Sequence, residues 1–276
     1  MKAITAIGIG TSFMMLLLAV VMEGGNPAAF IDIPAFLIVV GGTTGATIAS
    51  TKAVMLGRAV KLVKLAMLGN DHDQSAAVDK MVSLAEKARR DGLLALEDDV
   101  AALSDDYAKK GIQLVVDGAD SDLVRAVLES EIDGMAARHA HNAQFFNAAG
   151  GFAPTLGILG TVMSLVHVLE NLSNPGSLGH SIAGAFIATL YGVGSANLVF
   201  LPISNKLKEL SAEELAYREM LLEAILSIQA GDNPRLLKEK LEAFVAPAER
   251  AASAQKAAAA KAAAAAPAAD REEVAA

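Results

Sequence analysis

The chain has 276 residues, 53% hydrophobic and 20% charged, with a mean hydropathy of +0.41 and neither Cys nor Trp. It is too apolar for an ordinary soluble domain and too charged for a bare membrane bundle, so the sequence divides between bilayer and water. The lack of cysteine excludes a disulfide scaffold, a thiolate zinc site and a cysteine nucleophile, the five histidines have no paired ligand spacing, and a net charge of −8 argues against nucleic acid as a partner.

Ala3 to Met22 is twenty residues without a charge. At about 1.5 Å per residue this matches a hydrocarbon core of about 30 Å, which predicts a spanning helix. No small-x-small cleavage site follows it and a second apolar run comes at once, so the segment is expected to stay uncleaved. That second run, Ile33 to Ser50, carries Pro34 in its first turn, where a missing N–H costs little, and exits at Lys52.

From Ala53 to Phe146 the pattern is helical. Val54, Leu56, Val60, Leu62, Val63, Leu65 and Leu68 recur at helical spacing among Arg58, Lys61 and Lys64, an amphipathic helix whose cations suit anionic headgroups. Asp73 is placed to cap a helix running to Arg90, with Gly92 as punctuation. Leu93 to Lys110 is expected to continue as helix to a stop at Gly111, and Ile112 to Val116 to form a short strand or helical turn. Asp120 or Ser121 then caps a long helix heading for the third span.

Between His139 and Asn205 the only Asp, Glu, Lys or Arg is Glu170, so Asn147 to Leu169 and Ser181 to Ile203 read as two further spans, joined by a turn containing Asn174-Pro175-Gly176. Ser211-Ala212-Glu213-Glu214 has the form of a capping box opening a helix to about Ala230, and Asn233-Pro234 opens another that ends near Ala246-Pro247. The last 26 residues hold sixteen Ala and no apolar face, the composition of a disordered tail. The predicted fold is therefore all-α: a polytopic membrane protein with four transmembrane helices and a cytoplasmic helical domain. Its segments are 1–51 (two spans), 52–146 (aqueous helices), 147–203 (two spans), 204–250 (C-terminal helices) and 251–276 (tail).

One Lys or Arg lies at Lys2, twelve between Lys52 and Arg138, and ten between Lys206 and Arg271, which accounts for all 23. The loops after the first and third spans carry none, so the positive-inside rule puts both termini and the middle segment in the cytoplasm.

The third and fourth spans are dense in Gly and Ala, which lets helix backbones approach closely, whether within one chain or between chains. An ion pathway at membrane depth ordinarily needs an ionisable group. Here Glu23, Asp32 and Glu170 lie near outer ends and nothing titratable lies centrally, so a conducting assembly would have to take its carboxylate from another chain. Thr161 and Thr189 offer only hydroxyls, which bond their own backbone in the simplest case or donate oxygen beside an ion. Pro154 and Pro202 each free a carbonyl, as static kinks or as hinges. No nucleophile and base, phosphate loop or metal cluster appears, so no enzyme, cofactor or metal site is expected.

Phe152-Ala153-Pro154-Thr155-Leu156-Gly157-Ile158-Leu159-Gly160-Thr161-Val162 and Gly179-His180-Ser181-Ile182-Ala183-Gly184-Ala185-Phe186-Ile187-Ala188-Thr189-Leu190-Tyr191-Gly192 resemble the paired pore helices of the MotA/PomA flagellar stator proteins. Everything but the tail follows that pattern. The resemblance implies a bacterial inner-membrane protein in which a homo-pentamer surrounds the membrane helices of two B-type (MotB/PomB-like) subunits, whose membrane Asp supplies the missing acid. Ion flow, H+ or Na+, would drive the ring against the rotor. By resemblance, Thr161 and Thr189 line the ion path, and Pro154 and Pro202 couple flow to movement. Arg89-Arg90-Asp91-Gly92-Leu93-Leu94-Ala95-Leu96-Glu97 resembles the stretch that meets the rotor switch protein of the C-ring, with Arg89, Arg90 and Glu97 as its charged contacts. Thr161 stands where sodium motors tend to have Thr, yet a hydroxyl also serves a proton wire, so the ion stays open. The alternatives are an energiser of the TolQ/ExbB type, usually with three spans, and a non-conducting scaffold.

Overall fold

The computed structural model describes residues 4–52, 54–69, 73–170, 175–247, 250–251 and 255. Apart from 251 and 255, the Ala-rich tail lies outside them, as do residues 171–174 of the expected outer turn. Every regular element among the described residues is helical. Four helices are long and apolar enough to cross a membrane: Ile4–Met22, Ile33–Ser50, Ser121–Glu170 and Ser181–Ala230. The backbone divides into two compact units, one of residues 1–70 with 135–213, the other of 71–134 with 214–276.

In the first unit, α1 (Ile4–Met22) buries no side chain. The chain then makes a short turn, Pro27–Phe30, capped by Asn26. Asp32 caps α2 (Ile33–Ser50), its Oδ1 accepting the Ala35 N–H at 2.8 Å, with Pro34 in the first turn. Residues Leu37–Gly41 of α2 form a π turn. The helix α3 (Val54–Leu68) turns Met55, Leu62 and Ala66 onto Phe145, Phe146 and Ile203, so its apolar face groups it with the spans.

The helix α7 (Ser121–Glu170) is continuous through Pro154, its start capped by Asp120, which accepts the Leu123 N–H at 2.9 Å. It is followed by α8 (Pro175–Ser195), a π turn over Ala196–Phe200, and α9 (Leu201–Ala230). No new helix begins at the Ser211 capping box. A cap requires a non-helical residue, and 204–213 holds no Gly or Pro to supply a break, so α9 runs straight through. Ser211 Oγ instead lies 3.2 Å from His139 Nδ1 on α7.

The second unit holds α4 (Gln74–Asp91), a 3₁₀ turn at Leu93–Leu96, α5 (Glu97–Ala102), α6 (Asp106–Val116) and α10 (Pro234–Glu242). Asp73 caps α4 and Asn233 caps α10, as their sequences predict. Gly92, at φ +88°, ends α4 in a conformation that side-chain-bearing residues rarely adopt.

Two expectations fail here. The helix expected over 93–110 breaks after Ala102, because Asp105 offers a cap, its carboxylate accepting the Tyr107 and Ala108 N–H groups at 3.0 Å each. Gly111 is no stop but lies inside α6, and Ile112 to Val116 is the rest of that helix. The side chains of Ile225 and Leu128 occupy the space that a Cβ at Gly111 would fill. The core around them includes Leu84, Leu96, Ile112, Leu128, Met220 and Leu237.

Arg218 is the polar centre of this unit. Its guanidinium lies 2.7 Å from Asp105 Oδ1 and 3.6 Å from Glu214, with its central carbon 5.4 and 5.6 Å from the ring centres of Tyr107 and Tyr217. Burial pushes both phenols above their ordinary range. Asp105 thus serves two helices at once. Asp105→Ala is expected to lower the stability of this unit by roughly 2–4 kcal/mol, through a lost cap and a largely buried cation left with the more distant Glu214. Thermal melts of the purified chain read that loss, and an unchanged midpoint would refute it.

Candidate functional site: a hydroxyl pair at a close helix crossing

Along α7 and α8 small residues replace side-chain packing by backbone contact. A Cβ at Gly157 would lie 2.9 Å from the Ala188 carbonyl oxygen, and one at Gly192 would lie 2.6 Å from that of Ala153 and 2.9 Å from Gly157 Cα. Only glycine permits this crossing. The close packing is thus within one chain at these two positions, while Gly151 and Gly194 have open space around them.

One turn along α7 the crossing brings Thr161 and Thr189 together, with their hydroxyl oxygens 2.5 Å apart. Thr161 Oγ1 also lies 3.1 Å from the Gly157 carbonyl in its own helix and 2.9 Å from the Ala185 carbonyl across the crossing. Thr161 has a single proton to donate to those carbonyls, so the consistent arrangement has Thr189 donating to Thr161. Back-bonding within the helix and contact across it therefore coexist. The result is an uncharged cluster of oxygens able to share lone pairs with a cation but unable to titrate.

In the other direction along α7 lies Pro154. Pro154 removes a helical N–H, and the carbonyl one turn back, at Gly150, loses its usual donor. At Gly150 a Cβ would meet the side chain of Leu201 at 2.7 Å. Leu201, the residue before Pro202, directly follows the π turn over Ala196–Phe200. The two prolines thus sit in segments that touch through Gly150 and Leu201, a link that sequence spacing did not disclose. Beyond them, Ser204 is fully buried and donates to the Ala143 carbonyl at 2.9 Å, tying α9 to α7.

Where the chain turns between α1 and α2, Tyr191 donates to the Phe30 carbonyl at 2.5 Å and accepts from the Asp32 N–H at 3.3 Å, holding the loop before α2 onto α8. Asp32 and Glu170 remain at helix ends. Among the described residues no group of acids and histidines is arranged to hold a metal ion. The flank of the pair exposes Ile158, Leu159, Val162 and Met163 from α7, with Phe186, Leu190 and Val193 from α8.

In the second unit Arg89 and Arg90 occupy the last turn of α4, and Glu97 the first turn of α5. Helix dipoles alone favour a cation at one end and an acid at the other. What separates these residues is their pairing. Lys87 donates to Asp99 at 2.7 Å, and Lys80 lies 3.8 Å from the same carboxylate. The hydrogen bond between Lys87 and Asp99 raises the lysine and lowers the acid from their ordinary ranges, against a smaller opposing effect of desolvation. Arg90 Nε lies 3.2 Å from Asp91. Arg89 and Glu97 are exposed, and neither is in an ion pair among the described residues. Between them Leu94 points outward, 74% exposed, while Leu96 is fully buried. The sequence, with three leucines in four residues, did not single it out.

The description MotA/TolQ/ExbB proton channel family matches residues 99–220. Motility protein A of Borreliella burgdorferi is 37% identical over 251 residues, covering 91% of this chain and 96% of that protein. The chain belongs to the MotA/TolQ/ExbB proton channel family. Chemotaxis protein PomA of Vibrio alginolyticus is 34% identical, over 91% of this chain and 98% of its own length. Among solved structures, the flagellar MotAB stator complex from Bacillus subtilis contains a chain that superposes with a TM-score of 0.83 at 32% identity, covering 89% of this chain and 96% of that one. The C. jejuni MotAB structure gives 0.84 at 29% identity, over 88% and 95%. The likeness to this family thus extends over nearly all of the chain, spans and aqueous helices alike.

Proposed function

We propose that this chain is the A-type stator subunit of a bacterial flagellar motor. The observation that carries the reading is an oxygen pair with no titrating acid beside it, flanked by an apolar surface, in a chain whose relatives are motility proteins. A B-type subunit with one membrane helix would lie on that surface and bring its Asp against Thr161 and Thr189. Five copies would encircle two such helices in the inner membrane, with both termini in the cytoplasm, in keeping with the cation count. Protons or sodium ions binding to and leaving the partner Asp would turn the ring, with the segments around Pro154 and Pro202 yielding together. Arg89, Arg90 and Glu97 would meet oppositely charged groups on the rotor switch protein. An energiser of the TolQ/ExbB type is disfavoured, because motility proteins match over about nine-tenths of the chain.

Reconstitution in liposomes tests the reading. Ion flux is expected from the complex with a B-type subunit and not from this chain alone. Equal flux without the partner, or none with it, would overturn the proposal. In the conducting complex Thr161→Val removes the hydroxyl at constant shape and is expected to reduce flux at least ten-fold, consistent with about 1.4 kcal/mol or more, while Thr161→Ser retains most of it. Full flux in the valine variant would leave Thr161 a packing residue.

A further inference from the structure

A cleft of about 410 Å³ opens between α1 and the beginning of α9, where the spans meet their cation-bearing end. Its size is that of a small-ligand site. Ser12 of α1 lines it together with Asn197, Pro202, Asn205, Lys206 and Glu209. Asn197 spends an amide N–H on the Val193 carbonyl at 2.9 Å, which leaves its oxygen as an acceptor. The Lys206 side chain is only 27% exposed, and its Nζ lies 3.0 Å from Glu209 Oε2. The cleft therefore presents one positive and one negative group side by side, with the positive one nearer the span in sequence. α1, which forms the other side, buries none of its apolar side chains.

The geometry points to a zwitterionic phosphoethanolamine lipid as the occupant of this cleft. Its phosphate sits next to the acyl chains and its ammonium further out, the same order in which Lys206 and then Glu209 leave the membrane. The phosphate accepts from Lys206 and from the Asn205 amide, the ammonium donates to Glu209, and the chains run along α1. A phosphoglycerol lipid would set no cation against Glu209. A phosphocholine lipid brings a cation without an N–H to donate.

Native mass spectrometry of the full-length chain, released from an equal mixture of phosphatidylethanolamine, phosphatidylglycerol and phosphatidylcholine, tests the assignment. At least five-fold preferential retention of phosphatidylethanolamine is expected, lost in Lys206→Gln and in Glu209→Gln but kept in Lys208→Gln, an exposed cation outside the cleft. The double exchange K206E/E209K preserves the ion pair but reverses the order, and is expected to abolish the preference while elution as a folded species is unchanged. Equal retention of the three lipids, or a preference indifferent to Lys206 and Glu209, would overturn the proposal. So would displacement by millimolar glycerophosphoethanolamine, which marks a site for the free headgroup, or cross-linking between Ser12→Cys copies with no lipid retained, which marks a second copy in the cleft.

Discussion

Gly192→Ala is expected to cost the motor most of its output, with swimming speed reduced at least ten-fold and less B-type partner recovered on purification. The new Cβ would lie 2.6 Å from the Ala153 carbonyl oxygen and 2.9 Å from Gly157 Cα, and neither backbone atom can rotate away. The helices must part to an ordinary separation, and overpacking of this kind costs roughly 1–3 kcal/mol. The hydroxyl pair one turn away opens with them. Gly157→Ala, whose Cβ would lie 2.9 Å from the Ala188 carbonyl, is expected to behave alike. Gly151→Ala and Gly194→Ala meet nothing within 4 Å in this chain. Wild-type swimming in those two, beside failure of the first two, locates the constraint within the chain. Equal failure of all four would move it to an interface between chains.

Charge reversal at the second unit is expected to separate torque from assembly. Arg89→Glu or Glu97→Lys leaves the core untouched, since both side chains are exposed and lack ion pairs among the described residues, so partner binding and membrane insertion stay at wild-type levels. Swimming falls several-fold with either change. Compensating reversal on the rotor switch protein restores part of it, because a contact between exposed charges depends on sign and on salt more than on shape. Asp99→Asn is the contrasting case, because that acid is already committed to Lys87 at 2.7 Å. Loss of assembly in Arg89→Glu or Glu97→Lys, or undiminished swimming in both, would refute their place at the rotor.

The spans were legible because apolar length is a local property. Ile33 to Ser50 matches the expected run to the residue, and the first span does so over its described residues, Ile4–Met22. Asp73, Gly92 and Asn233 were legible for a similar reason, since a cap and a positive φ are chemistry of a few adjacent residues. Failures came where distant chain decides. The Ser211 box is sound capping chemistry, yet nothing upstream interrupts the helix. Gly111 reads as a terminator until Ile225 and Leu128 are seen to need its missing side chain. Asp105 and Arg218 are separated by 113 positions, and no periodicity announces their pairing. At the site, Thr161 and Thr189 were singled out individually, but their contact depends on the crossing at Gly157 and Gly192. The π turns over Leu37–Gly41 and Ala196–Phe200 left no sequence mark.

The oxygen cluster at Thr161 and Thr189 holds its own protons in internal bonds and carries no group that changes charge near neutrality. If the titrating acid comes only from the partner, as proposed, a cell that makes this chain ahead of its counterpart would lose none of its transmembrane electrochemical potential through the idle copies. Synthesis of the two proteins would then need no synchronising, and surplus copies would wait in the bilayer as a harmless reserve.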